Sequence, residues 1–166
     1  RGNRVDTLNK VSPPFKAGFV GLGPYAAQRM TYYSVDAAGS AVSPRSVFYS
    51  GVEASTKFFR VFDCQTDAAG LDLHGLRHVI NPKISYDYNN DPSIQGGRLL
   101  QMDELDAIGQ SNAATLELSN KLQTKRNDVS VDLANLVVSS TYSLYSTDGT
   151  TGAKSRSSLA DILTEL

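Results

Sequence analysis

Between Leu76 and Tyr88 the sequence alternates with period two. Leu76, His78, Ile80, Pro82, Ile84, Tyr86 and Tyr88 fall on one side, and Arg77, Val79, Asn81, Lys83, Ser85 and Asp87 on the other. Successive side chains of a strand point to opposite faces, so this stretch builds one apolar face and one wet, charged face. It is 13 residues long, whereas a strand in an ordinary sheet has about five or six. At ~3.3 Å per residue and a tilt of ~45°, it rises roughly 30 Å, enough to cross the apolar band of an outer membrane. Length and alternation together turn the question towards membranes.

The rest of the chain carries the same signal. Residues Arg1 to Pro14 read as a connecting segment, and 15–166 as the folded part. Phe15 to Tyr25 and Gln28 to Val35 read as β stretches, followed by a turn at Ala37–Ser40. Arg45 to Phe62 is a long β stretch, Asp63 to Gly75 is loop-like, and Asn89-Asn90-Asp91-Pro92 stops the strand that ends at Tyr88. A long loop is expected over about 89–110, with one or two helical turns within Met102–Ile108. Ala113 to Gln123 alternates again, Lys125–Asp128 makes a polar hairpin tip, and Val129 to Tyr145 returns. In that returning strand Val129, Val131 and Leu133 are odd, while Leu136, Val138, Tyr142 and Leu144 are even, so a β-bulge is expected near Ala134–Asn135. A Gly/Ser/Thr loop over about 147–158 precedes a last element from Leu159.

The expected fold is therefore all-β and antiparallel, with about six long strands and alternating long loops and short turns. Such asymmetry belongs to transmembrane barrels. Six strands are too few to close, because bacterial barrels begin at eight and an open edge in lipid is not tolerated. The chain, opening on Arg1, reads as part of a longer polypeptide or as a mature form.

Composition narrows the function classes. With 16 basic against 17 acidic residues there is no field to attract nucleic acid. No apolar run reaches the ~18–20 residues of a membrane-spanning helix. Cys64 is alone, so no internal disulfide forms. His74 and His78 lack the further ligands a metal site needs, and Gly18, Gly21 and Gly23 lack the strand–turn–helix setting of a phosphate loop. Asp103, Glu104 and Asp106 lack the spacing of a calcium loop and read as a solvated face. With no nucleophile–base pair either, neither an enzyme nor a cofactor is expected.

The polar faces carry the functional candidates. Arg77 and Lys83 on one strand, with Glu117 and Lys121 on the next, would point into a barrel lumen if the apolar faces meet lipid. A soluble β-sandwich with a polar outer face fits the alternation equally well. Tyr32, Tyr33, Tyr86, Tyr88, Tyr142 and Tyr145 gather near strand ends, where barrels carry aromatic girdles.

Two stretches add a resemblance. Leu76-Arg-His-Val-Ile-Asn-Pro-Lys-Ile-Ser-Tyr-Asp-Tyr88 resembles the "H-V-(I/L)-x-P-x-(I/L)-x-Y-x-Y" strand of the LptD (OstA/Imp) family of outer-membrane lipopolysaccharide-assembly proteins. Asp106-Ala-Ile-Gly-Gln-Ser-Asn-Ala113, followed by Leu118 to Arg126, looks like that family's "D-x-I-G-x-x-N" loop and next strand. Gly23-Pro-Tyr and Arg29-Met-Thr-Tyr fit its run of barrel strands, so the likeness covers most of Val11 to Tyr145. The resemblance implies a barrel segment in the cell outer membrane that inserts lipopolysaccharide into the outer leaflet. It implies an LptE-like plug lipoprotein, periplasmic lipopolysaccharide-bridge proteins and outer-membrane lipid as partners. The chain lacks a Cys pair like those joining domain to barrel in some members. A generic outer-membrane pore or receptor barrel, and a soluble β-sandwich binding module, are the rival expectations.

Overall fold

The computed structural model describes residues 2–41, 44–66, 73–126, 129–160 and 162–165. Ten strands form one antiparallel sheet: β1 (Arg4–Val11), β2 (Phe15–Ala17), β3 (Val20–Tyr33), β4 (Arg45–Ser55), β5 (Phe58–Thr66), β6 (Leu73–Asn89), β7 (Ser111–Arg126), β8 (Val129–Thr147), β9 (Lys154–Leu159) and β10 (Leu163–Glu165). The sheet curls into a half-barrel.

Three of the seven passes are each made of two strands, and proline accounts for two of those breaks. β1 and β2 hold one register against β3, from Arg4↔Tyr33 through Val11↔Ala26 to Phe15↔Leu22. Pro13 and Pro14 interrupt it opposite Pro24, where no N–H is available for the ladder. β4 and β5 likewise keep one register against β6, with Ser55↔Lys83 and Phe58↔Ile80, and the gap at Thr56–Lys57 faces Asn81–Pro82. There the Thr56 N–H still donates to the Pro82 carbonyl at 3.2 Å. β9 and β10 both run along β8, with Ala160 N–H donating to the Thr141 carbonyl between them. Each pass pairs with the next in sequence, giving an up-and-down meander.

The passes are long: 14 residues in β3, 17 in β6, 16 in β7 and 19 in β8. The connections at one rim are long, at 34–44, 90–110 and 148–153, and at the other rim β2 and β3 are joined by only Gly18 and Phe19. Gly18 sits at φ 63°, a left-handed conformation that a residue without Cβ adopts freely.

Several expectations are corrected. The supposed connecting segment 1–14 contains β1, because Val5 to Val11 finds a partner in the C-terminal half of β3. Phe15–Tyr25 and Gln28–Val35 are not two successive strands; the turn lies earlier, and Val20–Tyr33 is continuous. The loop expected over Asp63–Gly75 is shorter, since β5 runs to Thr66 and β6 begins at Leu73. β9 occupies part of the loop expected at 147–158. The loop over 90–110 is as expected, with a 3-10 turn at Glu104–Ala107. β8 carries two bulges against β7: one at Leu133, between Leu122↔Ala134 and Gln123↔Asp132, one residue from its expected place, and an unexpected one at Leu144, between Asn112↔Tyr145 and Ala113↔Ser143. The tip residues Asn127 and Asp128 lie outside the described residues, as does the side chain of His74.

Burial separates the two faces. Ala27, Thr31, Val47 and Val79 are buried on the polar face, although no second sheet covers it. Curvature, helped near Thr31 and Val47 by the 90–110 loop, brings them together, so this is the inner face. On the other face Ile84 is 54% exposed, Leu116 59% and Leu118 39%. An apolar face open this widely is a patch of the size that a lipid or protein contact covers.

Candidate functional site

Cross-strand register places Arg77 and Lys83 of β6 and Glu117 and Lys121 of β7 on the inner face. Lys83 lies directly opposite Glu117, and their side chains form an ion pair at 2.9 Å. Lys121 pairs instead with Asp132 of β8 at 2.9 Å, and Gln123 donates to the same carboxylate at 2.7 Å. The Arg77 guanidinium stacks over the Phe59 ring, 4.7 Å from its centroid. The structure thus joins two of the four candidates to each other and gives the other two separate partners. Further along the inner face, Arg29 approaches Asp6 at 3.5 Å, Tyr25 donates to Asp87 at 2.7 Å, and the Thr115 and Thr141 hydroxyls meet at 2.9 Å. The inner face is a chain of polar contacts running across successive strands.

Two of the grooves on it lie beside these contacts. One, of about 610 Å³, is lined by Lys10, Tyr25, Arg29, Tyr49, Glu53 and Asp87. The other, of about 510 Å³, holds the Lys83–Glu117 pair together with Lys16, Lys57 and Glu53. Lys16 and Lys57 have no ion-pair partner among the described residues, so this groove carries surplus positive charge. Sequence reasoning missed both lysines. Parity places Lys57 on the polar face with Gly51, Glu53 and Ser55, yet it was not among the candidates, and Lys16 lies beside the misplaced turn. The Tyr25 ring also fills the space above Gly51: a Cβ there would lie 2.5 Å from Tyr25 Cε1 and 2.5 Å from the Tyr86 carbonyl oxygen.

At the long-loop rim the inner face is capped. Residues 90–110 fold back over the strand ends instead of projecting away. Arg45, 1% exposed, anchors them by donating from Nε to the Ile94 carbonyl (3.0 Å), from Nη1 to Leu105 (2.6 Å) and from Nη2 to Ile108 (2.7 Å). The planar guanidinium fork suits three carbonyls at once. Asp106, 0% exposed, accepts from the Tyr33 hydroxyl, from Arg4 Nη1 at 3.0 Å and from the Met102 N–H at 2.7 Å. Arg4 also binds Asp103, whose side chain caps the 3-10 turn by accepting from Leu105 N–H at 2.9 Å. Asn89 donates to the Gly109 carbonyl at 2.6 Å, and Thr147 donates to Asp91 at 3.0 Å while accepting from Gln110 N–H at 2.7 Å.

These contacts correct two expectations. Asp103 and Glu104 are exposed, as a solvated face requires, but Asp106 is fully buried in a paired cluster. Tyr33 is not part of an outer girdle, since it points inward to Asp106, whereas Tyr32, Tyr86 and Tyr142 are exposed. The hydrogen bond from Arg4 holds the Asp103 carboxyl down to about 2. Burial opposes ionisation of Asp106, yet bonds from Tyr33, the Met102 and Asp103 N–H groups and Arg4 outweigh it and keep its pKa below the usual carboxylate range. In the 148–153 loop, the N–H and hydroxyl of Thr151 and the Thr150 N–H do the same for Asp148. Among the described residues no group of three or more His, Cys, Asp and Glu is placed to hold a metal, and no helix is long and apolar enough to cross a membrane. No protein-family model, no curated protein and no solved structure matches this chain.

Proposed function

We propose that this chain is a segment of an outer-membrane β-barrel of the LptD type, which takes part in moving lipopolysaccharide into the outer leaflet. The observation that carries the membrane part is the division of the sheet. Its 14–19-residue passes expose an apolar outer face and close their charges against one another on the inner one. An apolar band facing lipid and a polar lumen are what a spanning barrel requires. The free edges of the half-barrel, at β1–β2 and β9–β10, would then be closed by further strands, since lipid leaves no partner for an open ladder.

The cargo rests on the Leu76–Tyr88 and Asp106–Ala113 resemblance and on chemistry. Lipopolysaccharide joins a bulky anionic saccharide to acyl chains. The saccharide needs a hydrated cavity with cations, and Lys16, Lys57 and Lys83 line such a groove. The partners this reading brings are an LptE-like plug lipoprotein and the periplasmic bridge proteins. The test places photo-crosslinking residues at Glu117 and Leu116 of the intact protein in living cells. Lipopolysaccharide adducts at Glu117, with phospholipid adducts at Leu116, are expected. A protein that inserts in the membrane yet yields no lipopolysaccharide adduct at any inner position would be a barrel of another kind.

A further inference from the structure

The outer face of β4 and β5 reads Phe48, Ser50, Val52, Ala54, Thr56 and Phe58, a run without charge. At ~3.3 Å per residue and a tilt of ~45°, it rises about 25 Å, the height of the lipid-facing band of a barrel. The next outward position is Arg60, which faces His78 across the β5–β6 ladder. Among the described residues of β1 to β6, Arg60 is the one Lys, Arg, Asp or Glu at an outward ladder position. Its side chain is exposed, has no carboxylate partner among the described residues, and stacks on the Phe62 ring 5.0 Å from the centroid. Phe58 and Phe62, on either side of it along β5, are both exposed.

We infer that Arg60, with His78 beside it, holds the phosphodiester of a bilayer phospholipid at the short-turn rim. The inference rests on the membrane-barrel reading and adds a lipid site on the outside of it. A cation facing lipid is strongly disfavoured at the bilayer midplane and tolerated near the interface. Arg60 sits one outward position past the uncharged run, so its charge falls at headgroup depth. Stacking on Phe62 uses one face of the guanidinium and leaves its edge N–H groups free to fork onto two phosphate oxygens. His78 has a ring N–H to donate whether neutral or charged. Phe58, one outward position nearer the membrane centre, then lies against the glycerol and upper acyl region, where aromatic side chains anchor barrels, while Phe62 braces the guanidinium from the rim side. The inner-face lysines cannot serve this lipid, because they lie on the opposite side of the sheet.

Native mass spectrometry tests this on the intact protein carrying the chain, released from bilayers of phosphatidylglycerol and phosphatidylcholine. The wild type is expected to retain bound phosphatidylglycerol. Arg60→Gln should weaken that retention roughly tenfold, the scale of one charge-assisted contact. His78→Gln should weaken it less, and Arg60→Lys should restore part of it. Excess inorganic phosphate should leave the lipid in place, whereas displacement by it would overturn the site in favour of a soluble anion. Equal retention in wild type and both Gln variants, in protein that has inserted, overturns the lipid site and leaves the barrel reading standing. Failure of the wild type to enter the bilayers overturns both. Unchanged β-sheet circular dichroism guards against loss of folding in the variants.

Discussion

Arg45 makes the strongest quantitative demand on the fold. It is a buried cation on β4 whose three nitrogens serve the carbonyls of Ile94, Leu105 and Ile108. Arg45→Met keeps much of the stem but removes every donor, leaving three loop carbonyls turned into a site that water does not reach. Three carbonyls left without donors cost about 1–3 kcal/mol each before the loop relaxes, so a net loss of about 3–4 kcal/mol is expected. The sheet register around it, Thr31↔Arg45 and onward, needs only main-chain atoms and should persist. The loss is therefore local, and the loop amides of Gly96, Leu99 and Asp106, all hydrogen-bonded now, should exchange about 10²–10³ times faster, at one decade per ~1.4 kcal/mol. Arg45→Lys should recover little of this, because a point ammonium cannot span three carbonyls. Hydrogen exchange read by mass spectrometry on peptides covering 90–110 measures it directly. Unchanged loop protection, or equal loss throughout β6 and β7, would refute the view that Arg45 holds the cap onto a sheet that stands without it.

Acid should release the same cap. Asp103 and Asp106 both titrate below the ordinary carboxylate value of ~3.9, so their contribution is complete above that pH and lost as pH falls towards about 2, where Asp103 protonates; loop protection factors, exchange divided by its intrinsic rate at each pH, should be flat from pH 6 downward and then fall. Gly51→Ala should destabilise the sheet by about 1–3 kcal/mol, since the added methyl meets Tyr25 and the fixed Tyr86 carbonyl, and the urea midpoint of the intact protein reads it. Lys83→Glu sets like charges opposite Glu117 at a cost of roughly 0.5–1 kcal/mol, and the swap Lys83→Glu with Glu117→Lys should return most of it in a double-mutant cycle.

The alternating stretches were legible because period two reports directly on two faces. Leu76–Tyr88 and Ala113–Gln123 put Arg77, Lys83, Glu117 and Lys121 on the face the structure gives them. The β8 bulge at Leu133 was legible too, since one extra residue reverses parity, but the one at Leu144 was not, because the apolar Leu144 continues the even phase. β1 was not, because its inner positions Asp6, Leu8 and Lys10 mix polar with apolar and its two closing prolines resemble a linker. The cap was hidden for a different reason. Arg45 and Asp106 lie 61 positions apart in sequence, and nothing local marks either as buried. Only the folding of 90–110 over the strand ends brings them beneath it. Which partner a charge takes, such as Lys121 choosing Asp132, likewise depends on the Leu133 bulge setting β8 against β7.

Site-directed spin labelling addresses the division of the two faces most directly. In a Cys64→Ser background of the intact protein, which removes the exposed free thiol, nitroxides would replace Val52, Ile84 and Leu116 on one side and Glu53, Ser85 and Thr115 on the other. In bilayers, the first three should collide with dissolved oxygen and be shielded from a water-soluble nickel complex, with the second three showing the reverse order. Equal access of the nickel complex to both sets would contradict a sheet whose Ile84 face lies against lipid.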